Sequence, residues 1–380
     1  MTSISPRYYV VLRDQSYHKV AMFDSWSLCS YTKEVNSVYT YEFSIQADDP
    51  RRDLFELDGL FEIYRAVPGC NVPWYREFIG LHRADRDSVS EKGEELFSSI
   101  GVGLNDFLAR TIINYPPATI KSYKDTVAET AMKEYVEENC GASATIANNR
   151  ERDGVLQDFL VETDGAHGIA WEGDKAWNNL LDVLKDISRL SQIDFDVEWD
   201  EDVEKFYFRT FVDQLGEDRT TQGLDSSTGL NSAGNAPVVF SLALGNMQNA
   251  KREYNRISES NVVTVTGEGD GATVEVQVRA NTSAIDDSPW NRREVSRPQS
   301  GYESEMQMFG DEVLEELSAK DILEFTPLMQ SSCLYGKHFF FGDKITTLFR
   351  GNTFHKRIYS ISNSIQSFKE DLKITFSDLQ

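Results

Sequence analysis

Ser37-Val38-Tyr39-Thr40-Tyr41-Glu42-Phe43-Ser44-Ile45 alternates without a break. Tyr39, Tyr41, Phe43 and Ile45 fall on one side of an extended chain, and Val38, Thr40, Glu42 and Ser44 on the other. Successive side chains of a strand point to opposite faces, so this period of two predicts a half-buried β-strand. Asp48-Asp49-Pro50 ends it as a turn cluster. Outward from it, Tyr8-Tyr9-Val10-Val11-Leu12 is rich in β-formers, and residues 59–65 read as a strand closed by a Pro68-Gly69 turn. Residues 76–83 and 94–100 complete the series. Short strands punctuated by turns predict a barrel or sandwich of about 100 residues, and we assign it residues 1–115.

The middle of the chain changes period. In residues 126–139, Val127, Thr130, Ala131, Tyr135 and Val136 lie near one helical face, and Cys140-Gly141 supplies a stop. A second helix is predicted over 174–190, capped by Asp174, with Trp177, Leu180, Leu181, Leu184, Ile187 and Leu190 at 3.6-residue spacing. Residues 193–199 and 204–211 alternate around Asp200-Glu201-Asp202, which predicts a hairpin next to that helix. Residues 216–237 are polar and aperiodic, the composition of a linker or functional loop. Residues 116–237 are therefore expected to form a smaller α/β middle domain.

Strands resume at 238–244. Val262-Val263-Thr264-Val265 and Val274-Glu275-Val276-Gln277-Val278 flank Gly267-Glu268-Gly269-Asp270-Gly271, a predicted hairpin. A helix is expected over 301–319, with Met306, Phe309, Val313, Leu314 and Leu317 apolar, and strands at 322–325, 344–349, 356–361 and 372–376. Residues 238–380 thus form a second β-barrel-like domain with an inserted helix. The fold class is α+β, mainly β.

The two ends echo each other. Gly59 leads into Phe61, Ile63 and Tyr64, then Arg76-Glu77-Phe78-Ile79-Gly80-Leu81, then Glu95-Leu96-Phe97. Gly342 leads into Ile345, Leu348 and Phe349, then Lys356-Arg357-Ile358-Tyr359-Ser360-Ile361, then Lys373-Ile374-Thr375-Phe376. Any two β meanders share such an outline; a duplicated barrel predicts the same pattern.

Charge narrows the function. Lys plus Arg number 38 and Asp plus Glu 62, a net charge of −24, which argues against affinity built on neutralising phosphates or on docking to an anionic membrane. Apolar runs fall short of the ~18–20 residues of a membrane span, and Met1 to Tyr9 holds no apolar core, so no signal peptide is expected. Cys29, Cys70, Cys140 and Cys333 are scattered, without metal-ligand spacing, and read as reduced thiols. His18, His82, His167, His338 and His355 form no HExxH or nucleophile constellation, and G-x-S-x-G is absent. The Gly267–Gly271 segment carries two acids and no Lys, links strands, and lacks EF-hand spacing; a plain hairpin is expected over a calcium loop. No catalytic, cofactor-binding or metal-ligating residue is assigned, and no cofactor.

The densest acidic run is Asp194, Asp196, Glu198, Asp200, Glu201, Asp202 and Glu204. Within its strand it alternates with Ile193, Phe195, Val197 and Trp199, so one face is apolar and the other a charged row. The row is either a solvated face serving solubility or an acidic wall.

Several segments resemble the tail-tip or baseplate central hub proteins of tailed phages. Phe43-Ser44-Ile45 before Asp48-Asp49-Pro50 is similar to the family's early barrel strand. Residues 103–116, from Gly103-Leu104-Asn105 through Arg110-Thr111-Ile112 to Pro116, are similar to its short helix and R-x-I-x-x-P stretch. Residues 128–136 resemble its next helix, residues 180–199 its helix-to-strand unit, and Phe341-Gly342-Asp343-Lys344-Ile345 its late strand start. The resemblance spans nearly the whole chain and carries no catalytic residues; residues 216–237 depart from it. It implies two related tube-forming β domains in a homotrimer joining a sixfold tail tube to a threefold spike or fibre. The implied partners are other copies of the chain, the tube or distal tail protein, the tape measure protein and the spike or fibre, with DNA passing transiently. The implied location is the virion tail, after synthesis in the host cytoplasm. An acidic lumen suits such passage, and Asp194, Asp196 and Glu198 are the candidate channel-facing row. A tail-associated cell-wall hydrolase and a receptor-binding tail module are the alternatives.

Overall fold

The computed structural model describes residues 6–67, 74–89, 93–115, 117–299, 303–366 and 369–378. The predicted Pro68-Gly69 turn, Cys70, Pro116 and Gly301 lie outside them. The chain is mainly β, with few helices, as its periodicity predicts. It divides into two compact units that interleave along the sequence: residues 1–109, 194–250 and 324–380 form one, and residues 110–193 and 251–323 the other. A division at 115 and 237 does not describe these units, because backbone pairing ties distant segments together.

The first unit is built on a twelve-stranded sheet. Its order runs Asp218–Arg219, Lys344–Phe349, Asn352–Gln366, Leu28–Glu34, Thr40–Gln46, Glu95–Gly103, Tyr75–Val89, Leu60–Ala66, Arg7–Arg13, Lys19–Phe23. Val239–Ser241 adds to Lys344–Phe349, and Lys369–Asp378 to Asn352–Gln366. The alternating stretch of Thr40–Gln46 buries Tyr41, Phe43 and Ile45, and Tyr41 stacks on Phe61 at 4.0 Å between centroids. Leading and trailing strands share this one sheet because Asn352–Gln366 pairs with Leu28–Glu34, from Ser360 opposite Glu34 to Ile365 opposite Cys29. Arg65, 2% exposed, reinforces the join through Glu370 at 3.0 Å and the Tyr335 carbonyl at 2.8 Å.

The echo between the two ends holds at the level of hydrogen bonds. Leu60–Ala66, Tyr75–Val89 and Glu95–Gly103 form an antiparallel meander; so do Lys344–Phe349, Asn352–Gln366 and Lys369–Asp378. Both middle strands are 15 residues long. Both break register with the closing strand at one residue, between His82 and Ala84 and between Ile358 and Ser360. Asp58 N–H donates to the His82 carbonyl and His82 N–H to the Gly59 carbonyl; Gly342 N–H donates to Ile358 and Ile358 N–H to Asp343. Asp58 and Gly342, the matching positions, both have left-handed backbones, φ 62° and 90°. Generic meanders share strand order, not a bulge and a left-handed turn at the same registered positions.

The second unit pairs Ser122–Val127 with Ala170–Lys175, beside the helices Ala128–Asn139 and Leu180–Ser191. Its other sheet holds Val262–Thr266 between antiparallel Val276–Ala280 and parallel Glu294–Pro298. Val263 and Val265 pack there on Met306 and Val313 of the helix Glu303–Glu316. The Gly267–Gly271 segment turns this hairpin, as predicted.

Two helix expectations change. The helix predicted from Asp174 begins at Leu180, capped by Asn179, whose side chain accepts from Asp182 N–H at 3.4 Å. Asp174 lies in a strand, bonded to Lys121 at 2.9 Å, and Trp177 is 57% exposed with a left-handed backbone. Strand pairing with 122–127 takes the residues that periodicity assigned to the first helical turn. The predicted helix-plus-hairpin pair is divided, since the unit boundary falls between Ile193 and Asp194. Residues 216–237 are ordered at the sheet edge: Asp218–Arg219 pairs parallel with Lys344–Phe349, and the Asn231 side chain donates to the carbonyls of Asp218 (2.9 Å) and Thr220 (3.0 Å).

Candidate functional site: the acidic hairpin

The strands Asp194–Asp200 and Lys205–Phe211 pair from Asp194 opposite Phe211 to Asp200 opposite Lys205. Phe195, Val197, Trp199, Phe206 and Phe208 are buried, so the apolar face predicted by alternation exists. Two asparagines reach the edge of the first strand. Asn36 accepts from Phe195 N–H at 2.9 Å, and Asn105, 1% exposed, accepts from Val197 N–H at 2.9 Å. Each stands in for a backbone acceptor that a neighbouring strand would provide.

The three acids of the row have different environments. Asp194 is 3% exposed. It receives Asn36 Nδ2 at 2.8 Å, the Leu215 N–H, and both terminal nitrogens of Arg357. A solvated row is therefore not what Asp194 belongs to; the Arg357 guanidinium neutralises it inside the protein. Asp196 accepts the Tyr39 hydroxyl at 2.8 Å, and burial raises its pKa to about 6, against the lowering effect of Tyr39 and Lys33. Glu198 is 45% exposed and pairs with Arg209 at 2.8 Å.

Beneath Asp196 and Glu198 lies a cavity of about 250 Å³, lined also by Lys33, Tyr39, Arg76 and Glu77. Its polar side chains already have partners within the protein. Lys33 Nζ donates to the Glu77 carbonyl at 3.1 Å and sits 4.6 Å from the Phe341 ring centre. Arg76 donates to Glu62 at 3.1 Å and to the Trp199 carbonyl. Glu77 accepts from Tyr335 at 2.8 Å. The site can hold the hairpin on the sheet; it brings together no nucleophile with a base. Among the described residues no group of three or more His, Cys, Asp or Glu is arranged to hold a metal ion.

At the turn, Glu201 bonds Lys19 and Arg13, each at 2.8 Å, and these two cations pull its pKa down to about 2. Arg13 passes on to Glu62, which is fully buried. His82 is buried against Ser99 at 2.7 Å, and burial lowers its pKa. Cys29, Cys140 and Cys333 are buried, and desolvation raises all three thiols, the last two to about 11. Sequence reading found the acidic row and missed its partners. Asn36 and Asn105 carry no periodicity, though both sit just outside strand patterns, where side chains replace backbone acceptors.

Over nearly its full length the chain is similar to solved tail proteins. It aligns with the 43 kDa tail protein of prophage MuSo2 from Shewanella oneidensis at 11% identity, covering 98% of both chains, with a TM-score of 0.55. The tail protein from Neisseria meningitidis MC58 gives 12% identity, 97% and 96% coverage, and a TM-score of 0.51. A chain of the lidded Francisella PdpA-VgrG complex gives 10% identity, 99% of this chain and 53% of that one, and a TM-score of 0.54. At these identities the likeness is one of fold. No curated protein matches by sequence. The chain belongs to the family of siphovirus ReqiPepy6 Gp37-like proteins, whose model matches residues 9–377. Its fold is that of solved phage tail proteins.

Proposed function

We propose that the chain is a structural hub of the phage tail tip or baseplate. In this reading it is a homotrimer that joins the sixfold tail tube to a threefold spike or fibre and encloses part of the DNA channel, without catalysis. The observation that carries it is the repeated meander, matched at the bulge of its middle strand and at its left-handed start. Three copies of a chain with two like modules offer six near-equivalent surfaces. The tube or distal tail protein and the tape measure protein would engage one side, and the spike or fibre the other. The chain would be made in the host cytoplasm and reside in the virion tail; among the described residues no helix is long and apolar enough to cross a membrane.

The excess of acids supports a bore that DNA slides through, since like charge keeps phosphate off the wall within the ~8 Å screening length of physiological salt. Of the three candidate residues, Glu198 retains the exposure to present charge to the bore, while Asp194 and Asp196 hold the hairpin. Light scattering on the full chain, with an end-on cryo-EM view of the tail tip, tests the reading. Three copies around the channel axis are expected. One copy, or a ring of another order at the tip, would refute it.

A further inference from the structure

We propose that residues 84–89, the outer half of the strand Tyr75–Val89, form the edge on which a second copy of this chain lays its strand Met247–Asn255. The inference rests on the trimeric reading and names the surfaces that close the ring.

The argument starts from the repeat. In the trailing meander, the matching half-strand from Ser360 to Ile365 is covered: it pairs with Leu28–Glu34, and Ile361, Asn363 and Ile365 are buried. In the leading meander, residues 84–89 bond to Glu95–Gly103 on one edge. Pairing on the other edge ends at His82, which exchanges backbone bonds with Asp58 and Gly59, and among the described residues no strand continues it. Every residue from Arg83 to Val89 is exposed, Val89 by 68%. Edges that stay single are blunted by Pro, by bulges or by outward charge. Residues 83–89 hold no Pro; the bulge at Arg83 has its match just before Ser360, where it does not prevent pairing; and Arg83, Arg86 and Asp87 pair with opposite charges within the copy. Arg83 bonds Asp58, Asp85 bonds His82 at 3.0 Å, Arg86 bonds Glu42 at 3.1 Å, and Asp87 bonds Arg52 at 3.3 Å.

The occupant follows from what covers the trailing copy of the edge. Leu28–Glu34 is the outer strand of a ribbon with Thr40–Gln46, and Thr40–Gln46 lies against the closing strand of the leading meander. The trailing module has a ribbon at the same place in chain order, Met247–Asn255 with Lys320–Pro327. Phe325 of that ribbon stacks on Phe376 of the trailing closing strand, centroids 4.4 Å apart. Met247–Asn255 is thus the counterpart of Leu28–Glu34, and as one strand of a two-stranded sheet it has an edge outside any sheet among the described residues. Within one chain the trailing half-strand docks on the leading ribbon; between chains the leading half-strand docks on the next copy's trailing ribbon. This contact is head-to-tail, and head-to-tail contacts close as a ring where the rotation between successive copies closes, as a threefold rotation does.

The test is cysteine cross-linking of the full chain, with Ser88→Cys combined in turn with Gln248→Cys, Ala250→Cys and Arg252→Cys. The native Cys29, Cys140 and Cys333 are buried. Mild oxidation is expected to give bands at two and three times the chain mass, reversed by reductant, strongest for one pairing and lost in each single variant. A three-copy species by light scattering that cross-links through none of the pairs overturns this inference and leaves the trimeric reading standing. Absence of any multi-copy species, in solution and at the tail tip, overturns both.

Discussion

Asp194 is an acid whose donors all come from outside its own hairpin: Asn36, Leu215 and Arg357. Removing one partner of a buried ion pair leaves the other charge uncompensated. Asp194→Ala is expected to cost about 3 kcal/mol in urea unfolding, while Asp194→Asn, which keeps the Asn36 bond, costs less. Equal losses would mean that the charge of Asp194 carries the whole contribution and that the Asn36 bond is immaterial. Asp196 has the opposite sensitivity. Its folded pKa, about 6, lies above the ordinary 3.8, so its stabilising contribution is whole below that ordinary value and is lost as pH rises through 6. Asp196→Asn should therefore be more stable than the parent at pH 8 by about 1 kcal/mol, allowing for the residual exposure of the group, with the gap closing near pH 4. A gap independent of pH would contradict this.

At the scale of elements, each meander starts from a left-handed residue, and the two starts tolerate different chemistry. Gly342 has φ 90°, and a Cβ there would meet the Leu215 carbonyl oxygen at 2.2 Å. Gly342→Ala is expected to cost about 2 kcal/mol or more by thermal or urea unfolding. Asp58→Gly relieves a left-handed non-glycine residue and loses only an exposed ion pair to Arg83, so it should change stability by less than about 1 kcal/mol. The elements themselves were legible where one face is buried: Thr40–Gln46 and Asp194–Asp200 alternate because packing on one side selects apolar residues. The helix start at Leu180 was not legible, because Trp177 fits the helical spacing by type while lying in a turn. Of the acidic row, sequence yields the alternation and not the environments, since Arg357 and Tyr39 approach from segments far along the chain.

For the molecule as a whole, mainly-β character and the echo between the ends could be read from strand periods and segment order, and the family from the resemblance of its segments. The interleaving could not. Pairing between Leu28–Glu34 and Asn352–Gln366 leaves no local signature, because each strand alternates as it would beside any neighbour. What sequence offers as successive domains is, in space, one sheet assembled from both ends, with the second unit spliced in twice. In the trimeric hub proposed above, the repeat would act at this scale, through the number of equivalent surfaces that a set of copies presents.

Thr32 and Ser362 touch across that seam although they lie 330 residues apart. The ribosome therefore releases one border of the seam long before the other, and the nascent polypeptide waits with a bare edge until the second border, 330 residues further on, has emerged. Contacts this distant slow maturation and expose intermediates to chaperones and proteases. Chains cut short before that point keep that edge open and lack the trailing module.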